Sequence, residues 1–380
     1  MANLFDYIKW RGDIDFDQSP FNPVDNIIFA QLSYLPMDGI VPGPGGKNSI
    51  SITEAAARCA ERHYNDPAFA GDDLNIRDAV SVIGAMGASP RYRNCELWCY
   101  TSLIDLSQEK QFSAFCAAAV KNRLKRDLFV VYRGTDLTLV GWKEDFNMSF
   151  KSSVPSQQEA VSYLENIAAR FSGPITMIGH SKGGNLAVYA AANCREKTRR
   201  RITAVYSNDA PGFHRDVIQS DGYRSVLSRI HAFVPQSSIV GMLFEHGETP
   251  LVVKSKAGGP LQHFLSSWEV THNGFVSAGE LSQQSRLVDN IIREWLNEME
   301  SGERQEFVEA VYKILVASEA RSITDLTGDW LKSAGNIINS LKNIDKPSKK
   351  LIGKITGDLF RAARKIIREQ RKGKTREITP

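Results

Sequence analysis

The sequence predicts an α/β protein with a mainly parallel sheet covered by helices on both faces. Short apolar runs alternate with helical patterns between residues 128 and 253, which is typical of parallel strands joined by crossover helices. One such run, Ile175–Ile178, passes directly into Gly-His-Ser181-Lys-Gly-Gly and then into another helical pattern. A chain of 380 residues is long enough to bury the large core that this fold class needs.

The N-terminal part is expected to be helical before it becomes strand-like. Apolar residues at helical spacing predict four helices: Leu4–Trp10, Pro23–Leu35, Ile52–Arg62 and Leu74–Met86. Alternating and apolar segments then predict three strands: Glu96–Leu106, Phe112–Ala119 and Leu128–Tyr132. The polar break at Ser107–Lys110 favours a hairpin between the first two strands.

The alternating region and the C-terminal part complete the prediction. The expected elements are a helix Gln157–Phe171, a strand Ile175–Ile178, a helix over 185–193, a strand Ile202–Tyr206, a helix near Val217–Gln219, strands Ile230–Val234 and Pro250–Val253, and a helix from Ser282 to Met299. Helical patterns recur over 305–318, 330–341 and 349–371. We therefore expect a main domain over residues 1–300 and a helical extension over residues 301–380.

The turn after Ile175–Ile178 has the pattern of a nucleophile elbow. Gly179 and Gly183 allow a turn too tight for side chains, which raises the serine between them above the sheet. Ser181 is therefore the candidate nucleophile. A helix that starts behind it would present the backbone N–H of Lys182 to a developing oxyanion. The alternative is that the elbow is retained without catalytic activity.

These motifs resemble the α/β-hydrolase superfamily and, within it, the class 3 lipases. The resemblance is carried by Val-Val-Tyr-Arg133-Gly134-Thr135-Asp136, by Trp142-Lys-Glu-Asp145-Phe and by the elbow. Further motifs resemble a bacterial lipase-like family of unknown function: Tyr7-Ile-Lys-Trp-Arg-Gly-Asp13, Val24-Asp-Asn-Ile-Ile-Phe-Ala-Gln-Leu-Ser-Tyr34, Ser207-Asn-Asp209-Ala-Pro-Gly212-Phe and Gln262-His263. The resemblance spans residues 3–298 and implies an α/β-hydrolase fold, without disclosing a substrate.

The general base is expected to be His263. In this fold the nucleophile, the acid and the base follow one another along the chain, with the base after the last strand. His263 comes after the last predicted strand of the sheet. The alternative is a loop histidine that bonds a backbone carbonyl. His180 is instead expected to be buried beneath the elbow, where it would fix the turn.

The acid departs from the lipase pattern. The usual position, after the strand that ends at Val234, holds Ser238 instead of an aspartate. Asp209 follows the preceding strand and is the expected acid, because a carboxylate on either neighbouring loop can reach the imidazole. The alternative is that Asp209 only caps its turn. The site would then be a Ser–His dyad helped by Ser238, or inactive.

The oxyanion hole is expected to combine Lys182 with the loop after Leu128–Tyr132. Gly134 permits an unusual backbone conformation in that loop, and Thr135 offers both an N–H and a hydroxyl. Asp136 is expected to brace the loop. The Lys182 side chain is predicted to be an exposed ammonium, which either favours anionic esters or is simply solvated.

Composition predicts a cytoplasmic protein without a bound metal. Five cysteines without the spacing of a disulfide framework favour free, buried thiols in a reducing compartment. The N-terminus lacks the pattern of a signal peptide, and no run approaches the about 18 apolar residues of a membrane span. None of the seven histidines has metal-ligand spacing, so neither a metal nor another cofactor is expected.

The end of the chain is strongly basic. Residues 346–376 hold twelve Lys and Arg residues against two acidic ones, while the rest of the chain is acidic on balance. Apolar residues recur there at helical spacing, so a basic amphipathic helix is predicted over 349–371. It could pack on its own body or a second copy, bind an anionic membrane surface, or bind an acidic protein. Nucleic acid is a disfavoured partner.

The resemblance implies a serine hydrolase of the carboxylesterase or lipase kind, cleaving a small-molecule ester or a lipid through an acyl-enzyme on Ser181. The rival interpretation is an inactive scaffold that binds a membrane surface or a partner through its basic helix. Serine at the usual acid position favours the scaffold. Retention of Ser181, Gly183, His263 and Arg133-Gly-Thr together favours the enzyme. We expect a cytoplasmic protein, peripheral at the membrane if the basic helix binds lipid.

Overall fold

One sheet of eight strands organises the part of the protein that the structure describes. The structure is a computed structural model that describes residues 1–46, 48–63, 73–121, 125–135, 139–148, 151–297, 302–306, 309 and 346–376. Its strands lie in chain order. They are β1 (Ile50–Ser51), β2 (Cys95–Asp105), β3 (Lys110–Lys121), β4 (Lys125–Tyr132), β5 (Ile175–His180), β6 (Ile202–Asn208), β7 (Ile230–Pro235) and β8 (Leu251–Val253). Every predicted strand is present, whereas the short β1 was not predicted.

The sheet changes from antiparallel to parallel at β4. Strands β1 to β4 pair antiparallel, with the predicted hairpin between β2 and β3, and β4 to β8 pair parallel. Parallel pairing puts the carboxyl ends of β4 to β8 at one edge, which is where open α/β sheets bind ligands. Tyr132 of β4 pairs with Gly179 of β5, and His180 of β5 pairs with Asn208 of β6. The loops after β4, β5 and β6 therefore start side by side.

The helices largely match the predicted ones. They are α1 (Leu4–Arg11), α2 (Pro23–Leu32), α3 (Ile52–His63), α4 (Leu74–Ala88), α5 (Leu139–Asn147), α6 (Pro155–Arg170), α7 (Lys182–Asn193), α8 (Glu196–Arg199), α9 (Arg215–Ile218), α10 (Asp221–Val226), α11 (Gln283–Asn297) and α12 (Lys346–Arg376). Helix α5 was not predicted, and the short helix expected near residue 217 is the pair α9 and α10. The helices predicted over 305–318 and 330–341 lie mostly outside the described residues. The boundary at residue 300 between a main domain and a helical extension remains a prediction.

Each face of the sheet packs against its own set of helices. On β4, Phe129 and Val131 belong to the core shared with α1 to α4, whereas Val130 and Tyr132 belong to the core shared with α6, α7 and α10. Successive residues of a strand face opposite sides, so a strand covered on both sides must be apolar throughout. The predicted α/β-hydrolase arrangement, a mainly parallel sheet between two helical layers, is therefore confirmed.

Buried polar contacts fix α2 against the sheet. Asp25 at its start is fully buried and accepts hydrogen bonds of 2.7 and 2.6 Å from the Arg91 guanidinium. Arg91 also donates to the carbonyl oxygens of Ile14 and Ser19. The side-chain amide of the next residue, Asn26, exchanges two hydrogen bonds with that of Asn208, at 2.8 and 3.0 Å. Helix α2 is thus bonded to the last residue of β6, at the carboxyl edge.

The C-terminal helix α12 packs against α11. The indole N–H of Trp295 in α11 donates to the carbonyl oxygen of Ile355 at 3.1 Å. Ile355 and Ala362 are fully buried at this contact. The basic helix predicted over 349–371 is confirmed, and one of its sides packs against the protein itself.

Two expectations from composition can be compared with the structure. All five cysteines are buried and free, as their spacing predicted. Burial raises the pKa of the Cys59 and Cys194 thiols to about 11, which keeps both protonated at neutral pH. In the part of the chain that the structure describes, no helix has the length and apolar content needed to cross a bilayer.

Candidate active site

Ser181 lies at a strained junction between β5 and α7. Its φ of 55° is in the left-handed region, which residues with a side chain seldom adopt. Helix α7 begins at the next residue, earlier than the predicted start at residue 185, so its N-terminus lies directly behind the serine. The Ser181 N–H donates to the carbonyl oxygen of Asn208 at 2.9 Å, which holds the turn against the end of β6.

Close backbone approach explains the two glycines of the elbow. A Cβ on Gly179 would lie 2.0 Å from the Gly183 carbonyl oxygen. A Cβ on Gly183 would lie 2.2 Å from the carbonyl oxygen of Tyr132. Neither position can accept a side chain without displacing backbone. The turn therefore has the tight geometry that the spacing of the motif predicted.

A buried carboxylate lies against His263. Asp209 Oδ2 is 2.6 Å from His263 Nδ1, and the Asp209 side chain is only 1% exposed. The other carboxylate oxygen accepts hydrogen bonds from the Ser238 hydroxyl and, at 3.1 Å, from the Gly241 N–H. The predicted contact between Asp209 and His263 is present. Ser238, which occupies the usual position of the acid, supports Asp209 instead of replacing it.

These contacts fix the tautomer of His263. An ionised carboxylate can only accept hydrogen bonds, so His263 Nδ1 carries the proton in the contact with Asp209. The neutral ring then has its lone pair on Nε2, the nitrogen that a general base uses. About a quarter of the side chain, 26%, is exposed, which leaves the ring accessible to a substrate.

His180 supports His263 from below, as a neutral ring. Its Nε2 lies 2.9 Å from the His263 carbonyl oxygen, so Nε2 must carry the proton. Its Nδ1 then accepts from the Tyr34 hydroxyl at 2.7 Å. Burial lowers the pKa of His180 well below its usual value, and the neighbouring His263 ring lowers it further. The predicted burial of His180 beneath the elbow is confirmed.

Tyr34 connects this network to the loop after β4. Burial raises the pKa of the Tyr34 hydroxyl far above its usual value, and a hydrogen bond from the backbone of Gly134 opposes that rise. A Cβ on Gly134 would lie 2.2 Å from the same hydroxyl and 3.1 Å from the Ser181 Cβ. Because the Gly134 N–H bonds Tyr34, the N–H of Thr135 remains the candidate oxyanion donor of this loop.

Asp145 braces the loop after β4. The Thr135 hydroxyl donates to the Asp145 carboxylate, which lies on α5. Asp136, the residue expected to brace the loop, lies outside the described residues. The Asp145 carboxylate on α5 therefore orients Thr135. Because the Thr135 hydroxyl donates to Asp145, only the Thr135 N–H is left to bind an oxyanion.

The expectation of an exposed Lys182 ammonium is wrong. The side chain is 1% exposed, and Nζ donates to Glu144 Oε2 at 2.5 Å and to the Gln111 carbonyl oxygen at 3.0 Å. Glu144 is fully buried and also accepts from the backbone N–H groups of Gln111 and Ser156. The ammonium therefore binds α5 and β3 beneath the elbow and cannot select the charge of an ester. Of the groups of Lys182, only the backbone N–H remains a candidate oxyanion donor.

Besides Asp145, three residues of the site were not predicted from the sequence. Tyr34 ends one of the quoted motifs, and Glu144 lies within another, yet neither was assigned a role. The third is Gly241, whose N–H bonds Asp209. A Cβ at that position would lie 2.4 Å from the Asp209 carboxylate, so a side chain would displace it. A charged residue within a quoted motif was the available signal for Glu144.

Comparison with known proteins finds one family model and two similar solved structures. A model of the family described as Mbeg1-like matches residues 86–313. The chain is similar to a lipase–propeptide complex from Rhizomucor miehei, at 16% identity and a TM-score of 0.33 over 55% of this chain and 70% of that chain. It is also similar to M37 lipase, at 15% identity and a TM-score of 0.33 over 57% and 68%. No curated protein matches. Both TM-scores are too low to support an argument about the fold or the activity.

We expect Lys182→Met to lower the free energy of unfolding by about 3–5 kcal/mol, because Glu144 would stay buried without its cation. Lys182→Met combined with Glu144→Gln should regain much of that loss. Unfolding in urea measures both variants. Lys110→Met is the matched control, since it removes the partner of the partly exposed Glu159 and should cost about 1 kcal/mol or less. An equal loss in the two single variants would contradict a stabilising role for the buried pair.

Proposed function

We propose that this chain, which belongs to the Mbeg1-like family, is a serine hydrolase that cleaves carboxylic esters through an acyl-enzyme on Ser181. The observation that carries the proposal is the hydrogen bond between Asp209 and His263, at the carboxyl edge of the sheet where the strained serine also lies. Nucleophile, base and acid come from three different loops, in the chain order Ser, Asp, His that this fold uses.

In the first half of the reaction Ser181 Oγ attacks the ester carbonyl carbon. His263 Nε2 accepts the serine proton, and Asp209 stabilises the imidazolium that results. The carbonyl oxygen gains a negative charge in the tetrahedral intermediate. The backbone N–H groups of Lys182 and Thr135 stabilise that charge, with the N-terminus of α7 adding its dipole. The intermediate expels the alcohol, whose oxygen takes the proton from His263.

In the second half water releases the acyl group. His263 Nε2 accepts a proton from the water as its oxygen attacks the acyl carbon, and the same two N–H groups stabilise the second oxyanion. The intermediate then breaks the bond to Ser181 Oγ, which takes the proton back from His263. The products are an alcohol and a carboxylic acid, and the enzyme returns to its starting protonation state.

An ester is favoured over a peptide as the substrate because the motifs of this chain resemble those of lipases. The inactive scaffold was favoured by Ser238 at the usual acid position. The hydrogen bond from Ser238 to Asp209 removes that argument, since a hydroxyl that supports a carboxylate is compatible with a working acid. A buried Asp that contacted no histidine would have favoured the scaffold.

The direct test is covalent labelling of the purified full chain by a fluorophosphonate, which reacts with activated serines. We expect stoichiometric labelling of the wild type and none of Ser181→Ala, together with hydrolysis of a soluble short-chain ester by the wild type alone. A folded wild type that neither labels nor hydrolyses esters would support the scaffold instead.

We expect Asp209→Asn to lower kcat by up to about 10⁴-fold, since His263 would lose both its tautomer and its counter-charge. Asp216→Asn is a matched control, because Asp216 also lies beside a histidine, His214, at 3.2 Å but is mostly exposed. That control should hydrolyse the ester at the wild-type rate. A wild-type rate in Asp209→Asn would remove Asp209 from the triad.

We expect Tyr34→Phe to lower kcat about ten- to a hundredfold. His180 would lose the hydrogen bond that fixes its tautomer, so it would hold the His263 carbonyl oxygen less firmly. Tyr163→Phe is the control, since its buried hydroxyl donates to the Cys99 carbonyl oxygen at 2.8 Å in the opposite core. Both variants should lose about 1–3 kcal/mol of stability. An equal drop of kcat in both would show that only general destabilisation is at work.

A further inference from the structure

The surface of α12 opposite to its contact with α11 is chemically unusual. Phe360 and Ile367 are 61% and 39% exposed there, although both are large apolar residues. They are seven positions apart, and therefore lie on one side of a helix. Arg364, between them along the same side, is exposed, as are Lys350 and Arg368 on its flank. We call these five residues the outward face of α12.

Internal ion pairs involve other cations of the same helix. Lys354 pairs with Glu303 and Lys365 pairs with Glu294, at the sides of the helix. Arg361 pairs with Asp358 of its own helix. The basic residues at the margin with the body are thus matched by acidic ones. The outward face combines further cations with apolar side chains that face solvent.

We propose that the outward face of α12 binds the surface of an anionic lipid bilayer. The cations are attracted to an anionic surface. In addition, moving the exposed Phe and Ile side chains from water into the boundary between headgroups and acyl chains lowers the free energy. A nucleic acid would use the cations but give Ile367 no apolar environment to enter. The buried side of the helix attaches it to the protein, because Ile355 and Ala362 pack against α11.

Binding of vesicles by the full chain tests this proposal. Ser181→Ala is used throughout, so that hydrolysis of lipid cannot alter the vesicles and the result does not depend on the proposed catalysis. We expect co-sedimentation with vesicles in which about one lipid in four is phosphatidylserine, and little with phosphatidylcholine alone. Binding should weaken as salt rises, because salt screens the attraction of exposed charges.

Three double variants locate the surface. Arg364→Gln with Arg368→Gln should lower the partition coefficient about 25-fold, at about fivefold for each cation near the bilayer. Phe360→Ala with Ile367→Ala should lower it at least about tenfold without changing the net charge. The control, Arg195→Gln with Lys197→Gln, removes two exposed cations elsewhere and should change it less than about twofold. Far-UV circular dichroism checks that the helical content of each variant is retained.

Four results would overturn the proposal. Equal binding of both vesicle types would exclude anionic lipid, and an equal loss in the control variant would show attraction by overall charge. Unchanged vesicle binding in the Phe360 and Ile367 variant, with loss of binding to a single-stranded RNA in the arginine variant, would assign the face to nucleic acid. A dimer that dissociates in the Phe360 and Ile367 variant, without vesicle binding by the parent, would assign it to contact between two copies.

Discussion

The left-handed conformation of Ser181 is the constraint on which the site depends. A residue with a side chain in this region costs about 1–3 kcal/mol, so the surrounding contacts must hold it. Gly179 and Gly183 allow the backbone to close, and the Ser181 N–H bonds the end of β6. The Asn208 side chain bonds the Gly179 carbonyl oxygen at 2.9 Å and is itself paired with Asn26 of α2. Helix α2 therefore stabilises the strained turn as well as covering the sheet.

Helix α5 contacts both parts of the candidate oxyanion hole. Adjacent residues of this helix make the two contacts: Glu144 binds the Lys182 ammonium, and Asp145 accepts from the Thr135 hydroxyl. Burying the Lys182 and Glu144 charges is costly unless each is paired and fully bonded, and the extra donors to Glu144 meet that condition. A single helix thus binds the side chains of both residues whose backbone N–H groups are the candidate donors.

Sequence reasoning predicted what depends on local pattern and on chain order. The apolar run of β4 and the glycine spacing of the elbow are local, and the Asp209–His263 contact follows from the order of loops on a parallel sheet. The direction of the Lys182 side chain could not be predicted, because its partner Glu144 lies 38 positions away and the partner's helix has no clear apolar periodicity. The Tyr34–His180 contact could not be predicted for the same reason, because its two residues are 146 positions apart.

Position, more than pairing, distinguishes His263 from the other histidines that lie beside carboxylates. Among the described residues, His214 also lies beside Asp216 and His246 beside Glu248. Asp216 is mostly exposed, so solvent already stabilises either charge state of its partner. Glu248 is well buried but also accepts from the Tyr223 hydroxyl, and its contact with His246 is long, at 3.4 Å. His263 alone of the three has its carbonyl bonded by His180, the residue before Ser181, with the two rings 4.4 Å apart. That bond holds the backbone of the candidate base against the strand that leads to Ser181, the candidate nucleophile.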